Sequence, residues 1–277
     1  MSFDFSVLMS LYKKEKPEFL RESLESILNQ TYVPTEIVIV KDGPLTIELE
    51  QVLKEYSTND KIKVYGYDEN KGLGFALNFG VNKCRYDIIA RMDTDDIASP
   101  DRFEKEILCL QEKKVDFVGS NTLEFIDTID NVQSVRIMPE NNDDIIKYSK
   151  TRNPFIHPSI MTYKSVILEA GNFRNYYLCE DYDMWTRIIK KGYKSYNIQE
   201  NLVYMRVGKD FYKRRGGIKY CKALVSFKKE LYREGYMTRR EYIKTKYATV
   251  LVSLMPGFIR EFLYKKVLRG SSSVKKI

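Results

Sequence analysis

Through the first 115 residues, short apolar runs alternate with segments whose apolar residues return every three or four positions. Residues 5–12 form a compact apolar run, and in 17–29 Phe19, Leu20, Leu24, Ile27 and Leu28 make one helical stripe. The run EIVIV at 36–40 reads as a buried strand that stops at a turn, Lys41-Asp42-Gly43-Pro44. Leu49, Val52, Leu53 and Tyr56 mark a second helix. A third strand follows at 62–67, a third helix at 72–84 and a fourth strand at 86–92. This alternation predicts a mostly parallel sheet covered by helices on both faces. Such sheets bind ligands beyond the carboxyl ends of their strands.

Past Lys114 the rhythm loosens. Strand character returns at 115–126, 134–138 and 193–206, and helices are expected at 141–150 and 180–190. From Tyr212 onward the pattern is helical and basic, interrupted at Gly216-Gly217, Gly235 and Pro256-Gly257. Charge follows the same division. Over 206–277, Lys and Arg outnumber Asp and Glu by 20 to 5, a net of +15. Residues 1–205 carry 26 against 33, a net of −7, so the overall +8 hides an acidic body with a basic tail.

Hydrophobic residues make up 43% of the chain, enough for a substantial core. Cys84, Cys109, Cys179 and Cys221 lie too far apart in sequence for a metal-binding or redox pair, and a reducing, cytoplasmic setting is expected. No apolar run nears the roughly 20 residues of a membrane-spanning helix. The first residues lack a basic start followed by an apolar stretch, so no secretory leader is expected.

Candidate chemistry gathers where strands end. Arg91-Met92-Asp93-Thr94-Asp95-Asp96 sets three carboxylates within four residues after a buried strand, an arrangement that a cation would relieve. Hard oxygen ligands suit Mg2+ or Mn2+, though a solvated acidic turn ahead of a helix near Asp101 would show the same letters. Cys179-Glu180-Asp181-Tyr182-Asp183-Met184-Trp185 puts acidic residues at a helix start, which the macrodipole alone favours. A carboxylate beside the chain's one tryptophan also suits a general base next to an aromatic floor for a sugar. Asp42 ends the second strand, where a residue reading a base or ribose would stand. Asn70-Lys71-Gly72-Leu73-Gly74, continuing to Asn78, offers a helix N-terminus for a phosphate, or simply a tight turn. His157 sits between Pro154 and Pro158 in a rigid loop, as a structural histidine or a ligand.

The segments FSVLMSLYKKEKPEFLRESLESILNQT, EIVIVKDGP, NKGLGFALNFG, RMDTDD, NPFIHPS and CEDYDMW occur in that order. Their succession over 5–206 resembles the family 2 inverting glycosyltransferases of the GT-A fold, particularly bacterial enzymes of capsule, exopolysaccharide or lipopolysaccharide synthesis. The resemblance implies a nucleotide-sugar- and acceptor-binding catalytic α/β domain at 1–206, while the charge and apolar spacing of 207–277 mark a basic amphipathic helical extension. It implies that Ser10, Tyr12 and Asp42 hold the nucleoside of a nucleotide-sugar donor, with UDP the implied nucleotide, and that Lys71 and Asn78 lie near it. Asp93 and Asp95 become the metal-binding D-x-D pair with Asp96 alongside, served by Mn2+ or Mg2+. Asp181 becomes the general base, with Glu180, Trp185 and His157 shaping the acceptor pocket. Processive members carry Gln-x-x-Arg-Trp and membrane-spanning helices. Here Arg214-Arg215-Gly216-Gly217 stands in that region instead, so transfer of a single sugar is implied.

Other classes share parts of this pattern. A sugar nucleotidyltransferase combines a nucleotide fold with metal carboxylates, but carries a glycine- and arginine-rich loop after its first strand, where this chain has Ser-Leu-Tyr-Lys-Lys. A non-catalytic sugar or nucleotide binder would not need acidic residues at both sites. A nucleic-acid partner is not expected from an acidic body without a nucleic-acid motif. The tail points elsewhere. Tyr247, Val250, Leu251, Leu254, Phe258, Ile259, Phe262, Leu263 and Val267 fall at helical spacing, with Arg260, Lys265, Lys266 and Arg269 among them. Apolar face plus lysine and arginine predicts a helix lying on an anionic membrane surface, where the acceptor of such enzymes, a glycan or lipid-linked sugar, is held; packing against protein would use the same residues.

Overall fold

A computed structural model describes residues 3–208 and 215–263. β1 (Phe5–Leu11), β2 (Glu36–Asp42), β3 (Ile62–Tyr67) and β4 (Ile88–Arg91) lie parallel in the order β3-β2-β1-β4. Between them run α1 (Pro17–Leu28), α2 (Ile47–Glu55) and α3 (Leu73–Lys83). The β1 register pairs Met9 with Ile39 and Leu8 with Arg91. All four strands therefore end on the same side, with the chain order reversing between β1 and β4.

The apolar runs are buried because both faces are covered. Phe5, Val7, Met9, Ile37 and Ile39 pack against Leu20, Leu24, Ile27, Leu49 and Val52 of α1 and α2. Leu8, Val38 and Val40 face the other way, onto Ala76, Leu77 and Val81 of α3. Alternate residues of one strand thus serve two cores, which is why the strands read as continuous apolar runs.

The second half of the sheet departs from the parallel expectation. β5 (Ile97–Ala98), β6 (Phe117–Phe125), β7 (Val132–Arg136), β8 (Met161–Tyr163) and β9 (Ser195–Arg206) extend the order as β4-β8-β6-β9-β5, with β7 on β6. Only β6 and β9 pair in parallel there; β8 runs antiparallel to both β4 and β6, and β5 to β9. The helices α4 (Arg102–Glu112), α5 (Asn142–Ser149), α6 (Lys164–Glu169) and α7 (Glu180–Lys190) cover this half.

The basic tail forms α8 (Ile218–Arg233), α9 (Arg239–Leu254) and α10 (Gly257–Leu263). Thr238 and Glu241 cap α9 reciprocally. The extension packs on α7: Phe227, Leu231 and Met237 join Cys179 and Tyr182, and Tyr176 donates to Glu230 at 2.7 Å. Lys228 is buried between α8 and α9, donating to Thr249 Oγ1 at 2.8 Å, and burial pushes its pKa down to about 8. The exposed side of α9 and α10 carries Tyr247, Leu251, Leu254, Phe258, Ile259 and Phe262. Arg260, expected on the polar side and open to a partner, is instead buried, donating to the carbonyls of Ser253 and Met255 at the α9–α10 corner. Tyr212, Arg214, Lys265, Lys266, Val267 and Arg269 lie outside the described residues. No helix among the described residues is long and apolar enough to cross a membrane.

Candidate active site

β4 ends at Arg91, and the acidic turn follows at the carboxyl end of that parallel strand, before β5. One carboxylate oxygen from each of Asp93, Asp95 and Asp96 falls within 4.8 Å of the others. Asp93 and Asp95 are half-buried and reachable; Asp96 is buried. Asp96 Oδ1 accepts from the Arg206 backbone N–H at 2.8 Å, while its Oδ2 is buried with no hydrogen-bond partner among the described residues. Burial, reinforced by the charges of Asp93 and Glu15, pushes Asp95 up to about 7. Asp96 is driven well above the ordinary carboxylate range by burial and by Asp95 beside it. Crowded oxygens, an orphaned lone pair and reluctant ionisation all fit a divalent cation with hard-oxygen preference.

Contacts distant in sequence hold this turn. Arg206, at the end of β9, donates from Nε to the Asp95 carbonyl at 3.0 Å, pairs with Glu22 and lies 3.9 Å over the Phe19 ring. Glu15 accepts from Thr94 Oγ1 at 2.9 Å and joins the loop after β1 to the acidic turn. Arg102, fully buried on α4, donates to the Arg91 carbonyl at 2.8 Å and pairs with Glu106, whose pKa burial pushes up to about 7. None of these supports was legible as a site residue in sequence.

The second acidic pair opens α7. Asp181 accepts from Asn153 Nδ2 at 2.6 Å and from the Tyr182 N–H at 2.7 Å. Burial raises its pKa; the two hydrogen bonds and the charges of Arg136 and Arg91 work against that rise. Glu180 is supported by backbone hydrogen bonds at Glu180 and Leu178 but by no side chain, and burial, with the neighbouring Asp181 charge, pushes it up to about 7. The Arg91 guanidinium pairs with Asp93, and its charge is felt by Asp95, Asp96, Asp181 and His157, members of both acidic groups and their surroundings. Leu178, at φ 62°, turns the chain into α7, and Tyr177 and Leu178 are exposed immediately before the pair. Neither was singled out from sequence.

On the β1–β3 side the expectations divide. Ser10 is half-buried and Tyr12 is 40% exposed at the end of β1. Lys71 is exposed, its ammonium 4.8 Å from the Phe75 ring centre. Asp42 is committed to the protein: Oδ1 accepts from Tyr67 Oη at 2.8 Å and the Lys71 N–H at 2.7 Å, Oδ2 from Asn70 Nδ2 at 2.8 Å. It shapes the loop ahead of α3, and Gly43 at φ 82° leaves room for that loop, because a Cβ there would meet Asn70 N at 2.6 Å. Asn78 likewise donates to the Phe173 carbonyl at 2.8 Å, tying α3 to the segment before α7.

One acceptor-side expectation is corrected. Trp185 is 2% exposed, its ring packed 4.8 Å from Phe117 and 6.0 Å from Phe173. It is part of the core, and no sugar can rest on it. His157, half-buried, lies beside the same aromatic cluster, 5.8 Å from Trp185, and its Nε2 makes no hydrogen bond to any described residue. Burial, with Arg91 adding to it, holds its pKa well below the usual value, so it is neutral near pH 7.

The sequence profile of Glycosyl transferase family 2 matches residues 6–171. A UDP-Gal:alpha-D-GlcNAc-diphosphoundecaprenol beta-1,3-galactosyltransferase of Escherichia coli is 39% identical over 267 residues, spanning 96% of each chain. An amylovoran biosynthesis glycosyltransferase of Erwinia amylovora is 35% identical, covering 96% of this chain and 100% of its own. Among solved structures, a Pyrobaculum calidifontis mannosyltransferase in complex with GDP-Man and Mn2+ superposes with a TM-score of 0.61 at 16% identity, over 92% of this chain and 77% of that one. S. aureus TarS 1-349 in complex with UDP-GlcNAc gives 0.63 at 15% identity, over 80% and 65%. The chain spans 38% of the longer S. aureus TarS chain. These structural likenesses show the fold, a GT-A arrangement.

Proposed function

Because the chain belongs to glycosyl transferase family 2 and is a glycosyltransferase, we propose that it moves one sugar from a UDP-sugar, with inversion and metal dependence, onto a hydroxyl of a lipid-linked glycan. The observation that carries the reading is the cluster of three carboxylate oxygens from Asp93, Asp95 and Asp96 within 4.8 Å of one another, fit for a cation, in a chain that also holds a hydrogen-bonded carboxylate, Asp181, fit for a proton. Residues 1–206 form the catalytic part, with Ser10, Tyr12 and Lys71 toward the donor and Asp42 shaping their loop. Asp93 and Asp95, with Asp96 behind them, would hold Mn2+ or Mg2+. Bound there, the ion supplies charge neutralisation for a leaving diphosphate.

Asp181 takes the proton from the acceptor hydroxyl, whose oxygen attacks C1 of the donor sugar while the bond from C1 to the diphosphate oxygen breaks. A single displacement from the opposite face inverts the anomeric centre. Asn153 and the Tyr182 N–H fix the orientation of Asp181 for that transfer. Tyr177 and Leu178 provide an exposed apolar rim for the acceptor in place of Trp185. Thermal shift with a panel of nucleotide sugars and Mn2+ tests the donor side. A rise with UDP-sugars above that with GDP- or ADP-sugars supports the reading; indifference to all of them contradicts it.

The exposed stripe Tyr247, Leu251, Leu254, Phe258 and Phe262 runs along α9 into α10, and the first turns of α9 carry Arg239, Arg240 and Lys244, which are also exposed. This extension docks on the anionic face of a membrane, where a lipid-linked acceptor would be presented. Each basic residue near such a surface contributes about 1 kcal/mol. Co-sedimentation with phosphatidylserine vesicles should weaken with salt and be lost in a Leu251→Glu, Phe258→Glu variant. Binding that ignores anionic lipid, or a dimer that the variant disrupts, overturns the docking.

A further inference from the structure

Arg91 is 3% exposed, and its Nε, Nη1 and Nη2 make no hydrogen bond to any described residue. A guanidinium carries five donors, and burying them without acceptors is costly. Its partner is a charge: Nη1 forms an ion pair with Asp93. The backbone allows Arg91 little room to move away. Its N–H donates to the Ile160 carbonyl at 2.8 Å, and its own carbonyl accepts from Arg102. A fixed positive charge is therefore built into a cluster of three carboxylates, Asp93, Asp95 and Asp96.

Formal charge shows what this does. Once a bound cation draws all three carboxylates into the ionised form, they and one guanidinium sum to −2, which a single divalent ion neutralises and a second would overshoot. We propose that Arg91 is an internal competitor for the ion: it holds Asp93 in the metal-free protein and limits the cluster to one loosely held dication. The proposal rests on the metal reading above. Its purpose follows from the chemistry, since an ion held too tightly by protein would retain the diphosphate product. Arg91 acts through Asp93, so it is a positioning residue.

The inference predicts an effect opposite to that of removing a ligand. Without Arg91 the carboxylates lose their built-in counter-charge, and the ion no longer faces a cation across a few ångströms. At an effective dielectric of about 20 that repulsion is large, and Arg91→Met should bind Mn2+ about tenfold more tightly or better. Free Mn2+ is measured by electron paramagnetic resonance at one fixed pH, with no donor present, for the wild type, Arg91→Met and Arg91→Lys. Arg91→Lys keeps the charge and should stay near the wild type. Thermal melts accompany the titrations, because metal-free Arg91→Met should be the less stable protein and gain more from Mn2+ than the wild type does. A variant that folds only with Mn2+ supports the proposal, and one unstable with and without it overturns it. Equal or weaker Mn2+ binding by Arg91→Met overturns it while leaving the metal reading intact. A wild type that binds neither Mn2+ nor Mg2+ overturns both.

Discussion

Asp95→Asn abolishes sugar transfer and stabilises the metal-free protein. The two effects have one cause. Asp95 is pushed up to about 7 by burial first, then by the negative charges of Asp93 and Glu15. Replacing it with a neutral isostere removes a charge that the fold tolerates poorly, and removes a ligand that a divalent ion would need. Loss of the ion's electrostatic contribution should reduce turnover by at least about 10²- to 10³-fold, the scale seen when one stabilising donor is removed. Stability carries a pH signature. A carboxyl raised in the folded state binds its proton more tightly there than when unfolded. Its contribution is therefore complete below its unfolded value, near pH 4, and is lost as pH rises through about 7. Melts of the metal-free wild type should fall across that window, and Asp95→Asn should fall less. Normal turnover with metal present would show that Asp95 is not a ligand.

Asp181→Asn is expected to lower kcat by about 10²- to 10⁴-fold while leaving UDP-sugar binding close to normal. The choice between neighbours rests on their surroundings. Glu180, pushed up to about 7 by burial and by the Asp181 charge, retains its proton in slightly acid solution. Asp181 has its charge supported by Asn153, the Tyr182 N–H, Arg136 and Arg91. Adjacent carboxyls held apart in this way divide their roles, and the supported anion is the base. Glu180→Gln should therefore have the smaller effect on kcat. A larger effect from Glu180→Gln would reverse the assignment. Equal loss of donor affinity in Asp181→Asn would move that residue to the nucleotide side.

The parallel half of the sheet was legible because its strands are continuous apolar runs and its first helices are long enough to show a period, from the run at β1 through the helical spacing of α2. β5 and β8, of two and three residues, carry no period of their own. They exist because β9 and β4 offer them edges, and the antiparallel pairing they introduce was hidden with them. At the site, residue type and position were legible but orientation was not. Asp42 and Asn78 stand where expected, yet both spend their polar atoms on neighbouring loops. Trp185 follows Asp181 by four residues, about one helical turn, so the spacing alone puts both on one side of α7; what the letters did not show is that the ring packs there against Phe117 in the core. Arg206 reaches Asp96 across 110 positions of sequence, a contact that no local motif announces. Arg91 stood in plain view inside RMDTDD; what the letters lacked was its burial without hydrogen-bond partners.

The anomeric configuration of the product tests the central claim most directly. The protein is incubated with Mn2+, the UDP-sugar that gives the largest thermal shift, and a synthetic N-acetylglucosamine diphospholipid, and the new linkage is assigned by NMR coupling constants. A linkage of opposite configuration to the donor is expected, formed with Mn2+ or Mg2+ and absent when both are chelated. A product that retains the donor's configuration, or one formed at full rate in chelator, would contradict that claim.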